Sequence, residues 1–146
     1  MNPVQEFIDL LQTTLEAALP SYTVEAREPA EGELVATDEV KQIFITTEGF
    51  DFAEGIADFG QTTRVVVPVM VGCVMQRPGK VTLAAKVLRR RLTLVQAVQR
   101  AVQDFGPVRP DVMAVPLSEQ PLLIEGYLVS MTGVELTFDL DAEEGL

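Results

Sequence analysis

Carboxylates are the one abundant group in this chain with catalytic potential: it has 22 Asp and Glu, a single cysteine at position 73, and no histidine. Without imidazole the chain lacks the commonest general base, the commonest zinc ligand and every His-dependent triad. Ser21, Ser118 and Ser130 therefore have no base to activate them. Cys73 has no second thiol for a disulfide or a metal, and in the apolar run VVVPVMVGCV it reads as a small core residue. Glu135 and Asp139, in GVELTFDLD, face the same side of a strand; acid–base work would need a cleft around them, and a solvated strand face is the simpler account. Gly49, Gly55 and Gly60 form no phosphate-binding fingerprint, and no Gly-Lys-Ser/Thr occurs. RPGK, residues 77–80, offers Arg77, Lys80 and backbone amides to an anion, but a strand-to-helix turn uses the same residues for its geometry. The expectation is a protein that is not an enzyme and carries no cofactor or metal.

Charge placement is the more informative signal. The chain is acidic, with net charge −11, yet residues 59–103 contain no Asp or Glu and eight of the eleven Lys and Arg. A solvated face normally mixes both signs, so this segregation points to a partner. Net acidity argues against nucleic acid as the main ligand of the whole molecule. Lys86, Arg89, Arg90 and Arg100 share the polar side of a helix, and the nearest anionic surface is another copy of the same acidic chain. Contact between a basic and an acidic patch is heterologous, and such contacts close into rings; complementary fields also steer association and fix its register.

Two helices and a set of strands must carry these residues. Asn2, Pro3 and Gln5 form an N-terminal cap signature, and Val4, Phe7, Ile8, Leu11, Leu15, Ala18 and Leu19 repeat at helical spacing up to Pro20. YTVEA is a short strand and REPAEGELVATDE an acidic loop. VKQIFIT (40–46) is a strand, and TEGFDFAEGIADFGQ a protruding loop or hairpin over 46–61. TTRVVVPVMVGCVM (62–75) is a long strand buried on both faces, with an edge or bulge at Pro68. A second helix spans 81–105, its apolar side formed by Ala84, Leu88, Leu92, Val95, Val98, Val102 and Phe105, and ends at Gly106 and Pro107. DVMAVPL, PLLIEGYLVSM and GVELTFDLD supply two or three closing strands, and 141–146 is a flexible tail.

The fold class is therefore α+β: a mostly antiparallel or mixed sheet of about five strands with two amphipathic helices on one face, in one domain over 1–146. No apolar run approaches the ~20 residues of a membrane span, and no leader opens the chain, so a soluble intracellular protein is expected. Phe50, Phe52 and Phe59, in an acidic and glycine-rich segment, are costly to expose. They either fold back on the core or anchor a contact with another chain.

The succession VQEFIDLLQTTLEAALP, YTVEA, VKQIFIT, TEGFDFAEGIADFGQ, TTRVVVPVMVGCV, LAAKVLRRRLTLVQAVQRAVQDF, GYLVSMTGVELTFDL resembles the tail terminator (tail completion) proteins of long-tailed bacteriophages. The likeness lies in the order and size of the elements and covers nearly the whole chain. It implies a virion protein assembled in the host cytoplasm: a homohexameric ring on the head-proximal end of the tail tube. Such a ring stops tube polymerisation, joins a connector or neck protein on the head side, and passes DNA through its lumen without binding it specifically. Another neck or head–tail joining subunit has a similar layout. A small anion- or nucleic-acid-binding module using Lys86, Arg89, Arg90 and Arg100 on phosphates is the alternative from a different class.

Overall fold

The computed structural model of the chain describes residues 2–28, 41–49, 51–52, 63–79 and 83–140. The opening helix α1, Pro3–Ala18, begins as its cap signature requires: the Asn2 side-chain oxygen accepts from the Val4 N–H at 2.8 Å, and Pro3 fills the first turn. Gln5 does not reach back to complete a capping box; its amide donates to Asp9, one turn on. Phe7, Leu11 and Leu15 are fully buried along one stripe. Each such burial contributes about 1.5–3 kcal/mol relative to exposure.

The sheet is built from β1 (Thr23–Glu25), β2 (Gln42–Thr47), β3 (Asp51–Phe52), β4 (Thr63–Gln76), β5 (Met113–Ile124) and β6 (Tyr127–Leu140). Its order is β1-β2-β4-β6-β5, with β3 pairing beside β4; β1 runs parallel to β2 and the other pairs are antiparallel. With the second helix α2, Ala84–Val108, this is the expected α+β class: a mixed sheet with five strands in its main order and the short β3 beside them, and two helices.

Strand β4 is the spine, and alternation along it separates two faces. Val65, Val67, Val69, Val71 and Cys73 are buried in one core with α1, α2 and the β6 residues Val134, Leu136 and Phe138. The intervening β4 positions on the opposite face are mostly half-buried, so burial on both faces holds only near Val74, which joins Tyr127 and Val129 in a small second cluster. Pro68 stands neither at a sheet edge nor at a bulge. Its carbonyl accepts from the Glu48 N–H at 3.2 Å, so its nitrogen also faces that side. There β2, paired as far as Val69, gives way to β3, which pairs from Val66. The missing donor falls in the gap between two neighbours, and the register shift lies instead at Val74/Gln76.

The helices run antiparallel across one face. Phe7 of α1 and Phe105 of α2 meet edge to face, with ring centroids 5.1 Å apart, and Arg109 beyond α2 reaches Glu6 at 3.2 Å. Helix α2 continues through Gly106 and Pro107 to Val108. Proline in the final turn forfeits only one helical hydrogen bond, and the Arg109 N–H closes the end on Phe105.

The buried side of α2 also departs from the expected one. Val87, Leu94, Ala97, Val98, Ala101 and Phe105 face the core, while Leu88 and Leu92 stay half exposed at 50% and 53%. The small residues Ala97 and Ala101 let α2 sit close against its neighbours. This turns the leucine flank toward the outside.

After α2 the chain closes with one long hairpin rather than separate strands. PLLIEGYLVSM is broken at Glu125–Gly126, both with positive φ (52° and 84°), which is the two-residue turn matched to strand twist.

Candidate interaction surface

The cations singled out by charge divide into two groups. Lys86, Arg89 and Arg100 are exposed along one side of α2, together with Gln96 and Gln103, and form no ion pair among the described residues. Arg100 lines an open groove of about 700 Å³ between α1 and α2, facing Thr13, Thr14 and Ala17. The hydroxyls of Thr13 and Thr14 donate to the carbonyls of Asp9 and Leu10, one turn back on α1.

Arg90 belongs to a different environment: its guanidinium donates to the Met75 carbonyl at 3.4 Å, over the end of β4. Arg91 is held more firmly. It makes two hydrogen bonds to the Glu119 carboxylate, at 2.5 and 2.8 Å, and the Ser130 hydroxyl donates to the same carboxylate at 2.7 Å. These bonds hold the Glu119 carboxyl below its ordinary range, the Arg91 contact contributing most, against the opposing effect of burial. The run RRR is thus one outward cation, one tied to the sheet end and one pinned to β5.

Nothing in the helix itself favours the cationic start of α2. Its N-cap, Leu83, supplies no side-chain acceptor, and no acid occupies the first turn. Lys86, in the first turn, sits at the positive end of the helix dipole, where anions are preferred. Tertiary contacts carry that cost.

A second feature of the surface was not legible as such in the sequence. Of the nine exposed large apolar side chains among the described residues, eight lie on α2 or β5, and the ninth is Leu83, the N-cap of α2. Leu88, Leu92, Val95 and Val102 recur at four- and three-residue spacing and share a flank of α2, next to the turn that sends Arg91 to Glu119 on β5. On β5, Met113, Val115, Leu122 and Ile124 lie opposite Thr137, Glu135, Val129 and Tyr127, on the face away from the helices, and Leu123 is 77% exposed. The leucine stripe was visible in the sequence, but periodicity alone assigns it to the core.

The remaining candidates fall elsewhere. Phe52 is placed by its backbone in β3, opposite Val65; Phe50 and Phe59 lie outside the described residues, as do 29–40, Lys80 and the tail 141–146. Glu135 and Asp139 share the uncovered sheet face, where Asp139 pairs with Arg64 at 3.0 Å. Cys73 is fully buried, and burial pushes its thiol up to about 12, which keeps it protonated and unreactive. Among the described residues no group of three potential metal ligands converges, and no helix is long and apolar enough to cross a membrane. No protein-family model matches the chain, and no curated protein matches it either.

Proposed function

We propose that this chain is a structural virion protein, the subunit of a ring at the head-proximal end of a phage tail tube. The ring terminates tube polymerisation, joins the tail to a head-side connector, and passes DNA through its lumen without specific binding. The observation that carries this reading is the outward cationic stripe Lys86, Arg89 and Arg100, without ion pairs among the described residues, on a chain of net charge −11 whose acids all lie outside 59–103. Copies of such a chain attract one another between unlike patches, and a heterologous contact repeated around an axis closes a ring. The order of helices and strands supports the same reading, because it resembles that of tail terminators. A phosphate-binding module is the weaker account. Arg90 and Arg91 point to Met75 and Glu119, which leaves fewer cations side by side for a polyanion.

Light scattering on the purified chain tests the proposal. Six copies per particle is the expected result, and Arg89→Glu with Arg100→Glu should dissociate it. A monomer at high concentration that binds DNA in a salt-sensitive manner would replace the ring with the binding module.

A further inference from the structure

We infer that the outward side of α1, bearing Asp9 and Glu16, is the acidic surface that the cationic stripe of α2 takes on a second copy of this chain. The inference rests on the self-association reading and names the surface which that reading leaves open. The two helices carry opposite charge. α1 contains three acids and no Lys or Arg, whereas α2 contains five Lys and Arg and one acid, Asp104. They lie side by side, yet their outward charges do not meet within the subunit. The α1 residues across the groove from Arg100 are Leu10, Thr13, Thr14, Ala17 and Ala18, none of them acidic. Asp9 and Glu16 accept from the side-chain amides of Gln5 and Gln12 on their own helix and form no ion pair among the described residues.

Unequal length opens the seat. α1 has 16 residues and α2 has 25. Measured from the Phe7–Phe105 contact along two antiparallel helices of equal rise, the last residue of α1 stands level with Leu94. The groove agrees, being lined as far as Ala18 on α1 and Thr93 on α2. Lys86 and Arg89 therefore stand on a part of α2 that has no α1 beside it. Most other acids with a fixed place already hold a cation: Glu6, Glu25, Asp111, Glu119 and Asp139 pair with arginines of their own chain.

Spacing suits a helix as the occupant. Lys86, Arg89, Thr93, Gln96, Arg100 and Gln103 recur at alternating three- and four-residue intervals, one straight polar line along α2. Asp9 and Glu16 stand seven residues, or about two turns, apart on one side of α1. A second α1 laid antiparallel on that line brings Glu16 toward Lys86 and Arg89, and Asp9 toward Arg100. The helix ends favour the same direction. α2 has Lys86 and no acid in its first turn, and α1 has Glu16 and no base in its last, so each end is unfavourable alone. Opposed across a contact, the two ends relieve each other.

The experiment uses the full chain. Sedimentation velocity over a concentration series compares the wild type with Asp9→Lys/Glu16→Lys, with Arg89→Glu/Arg100→Glu, and with an equimolar mixture of the two variants. All four positions are exposed, and circular dichroism checks folding. Glu28→Lys/Glu125→Lys, at exposed acids elsewhere, makes the same change in net charge as the α1 variant and serves as the control. Each of the first two variants alone should self-associate at least about tenfold more weakly. The mixture should recover wild-type affinity, because a basic α1 then meets an acidic α2 and the reverse; the control should match the wild type. A hexamer that survives Asp9→Lys/Glu16→Lys overturns the inference and leaves the ring reading standing. Weakening that the mixture does not reverse, or that the control shares, overturns it too. A dimer that the variants dissociate and the mixture restores supports the inference and removes the ring. A wild type that stays monomeric at every concentration overturns it, whether or not the chain binds DNA.

Discussion

Arg91 on α2 grips Glu119 on β5 through two hydrogen bonds, at 2.5 and 2.8 Å, and Ser130 on β6 donates to the same carboxylate at 2.7 Å. One ion pair thus ties the helix layer to the terminal hairpin at the point where β5 slips register between Leu117 and Gln120. The side chains are only 12% exposed at Glu119 and 27% at Arg91, so the pair is shielded well beyond an ordinary surface bridge. Removing one partner strands a partly desolvated charge. Glu119→Ala should lower the unfolding free energy by about 2 kcal/mol in urea titrations, within the ~1–3 kcal/mol expected for such a loss. Arg91→Met combined with Glu119→Leu should cost less than the two single changes added together; strict additivity would mean that the pair is uncoupled.

The same pair sets a pH dependence. Arg91 lowers the Glu119 pKa in the folded chain below its ordinary 4.5, so the unfolded state takes up a proton first as pH falls. The pair's contribution is fully present above pH 4.5 and is lost progressively below it, as pH drops through the folded value. Wild type should therefore lose more stability between neutral pH and strong acid than Glu119→Gln, in which the titrating group is gone. Parallel curves for the two proteins would assign the acid sensitivity to other carboxylates.

Gly133 is a second point at which the fold admits no freedom. A Cβ built there lies 2.5 Å from the Val69 carbonyl oxygen and 3.0 Å from the Met70 sulfur. Met70 can swing aside, but the Val69 backbone is fixed between β2 and β6 in the centre of the sheet. Gly133→Ala should cost about 1–3 kcal/mol, as overpacking does elsewhere, measured as a shift in denaturation midpoint. Gly49→Ala, where a Cβ meets nothing within 4 Å, is the control.

Much of this architecture is readable from local signals. The Asn2–Pro3 cap, the Phe7/Leu11/Leu15 stripe and the alternation in GVELTFDLD each admit one local solution, and α1 and the last half of β6 follow from them. The rotation of α2 does not, because that helix carries two apolar stripes. Leu88, Leu92 and Val95 look more core-like than Ala97 and Ala101, yet close packing against α1 favours the small residues. Arg91 looks like a third member of a basic cluster until Glu119, 28 residues on, is brought under it. Pro68 marks an interruption, but which neighbouring strand ends there is a matter of topology that no local pattern encodes. Burial and pairing across the sheet decided each of these points.

The turn joining β5 to β6 leaves room for improvement. Glu125 adopts φ 52° with no glycine's freedom, and Gly126 follows at φ 84°. Asparagine tolerates this conformation better and is favoured at the first position of such turns. Glu125→Asn should raise stability by about 0.5–1 kcal/mol, the scale of other substitutions that fit a required backbone geometry, visible as a higher melting temperature. Gly126→Ala should do the reverse, since it adds both a strained φ and a contact with Pro78 at 3.1 Å.

Salt tests the proposed self-contact directly. If the cations Arg89 and Arg100 face acids of another copy, screening weakens that attraction as the Debye length shrinks from ~10 Å at 0.1 M toward ~3 Å at 1 M. Raising NaCl should therefore weaken association by about tenfold. In Arg89→Glu/Arg100→Glu the sign should invert: acid now faces acid, so the variant associates poorly at low salt and better as salt rises. Fluorescence anisotropy of a labelled chain across a salt series reads both slopes. Identical slopes for wild type and variant would mean that these two arginines meet solvent in the assembly, and the outward cationic stripe would lose its claim to be a contact.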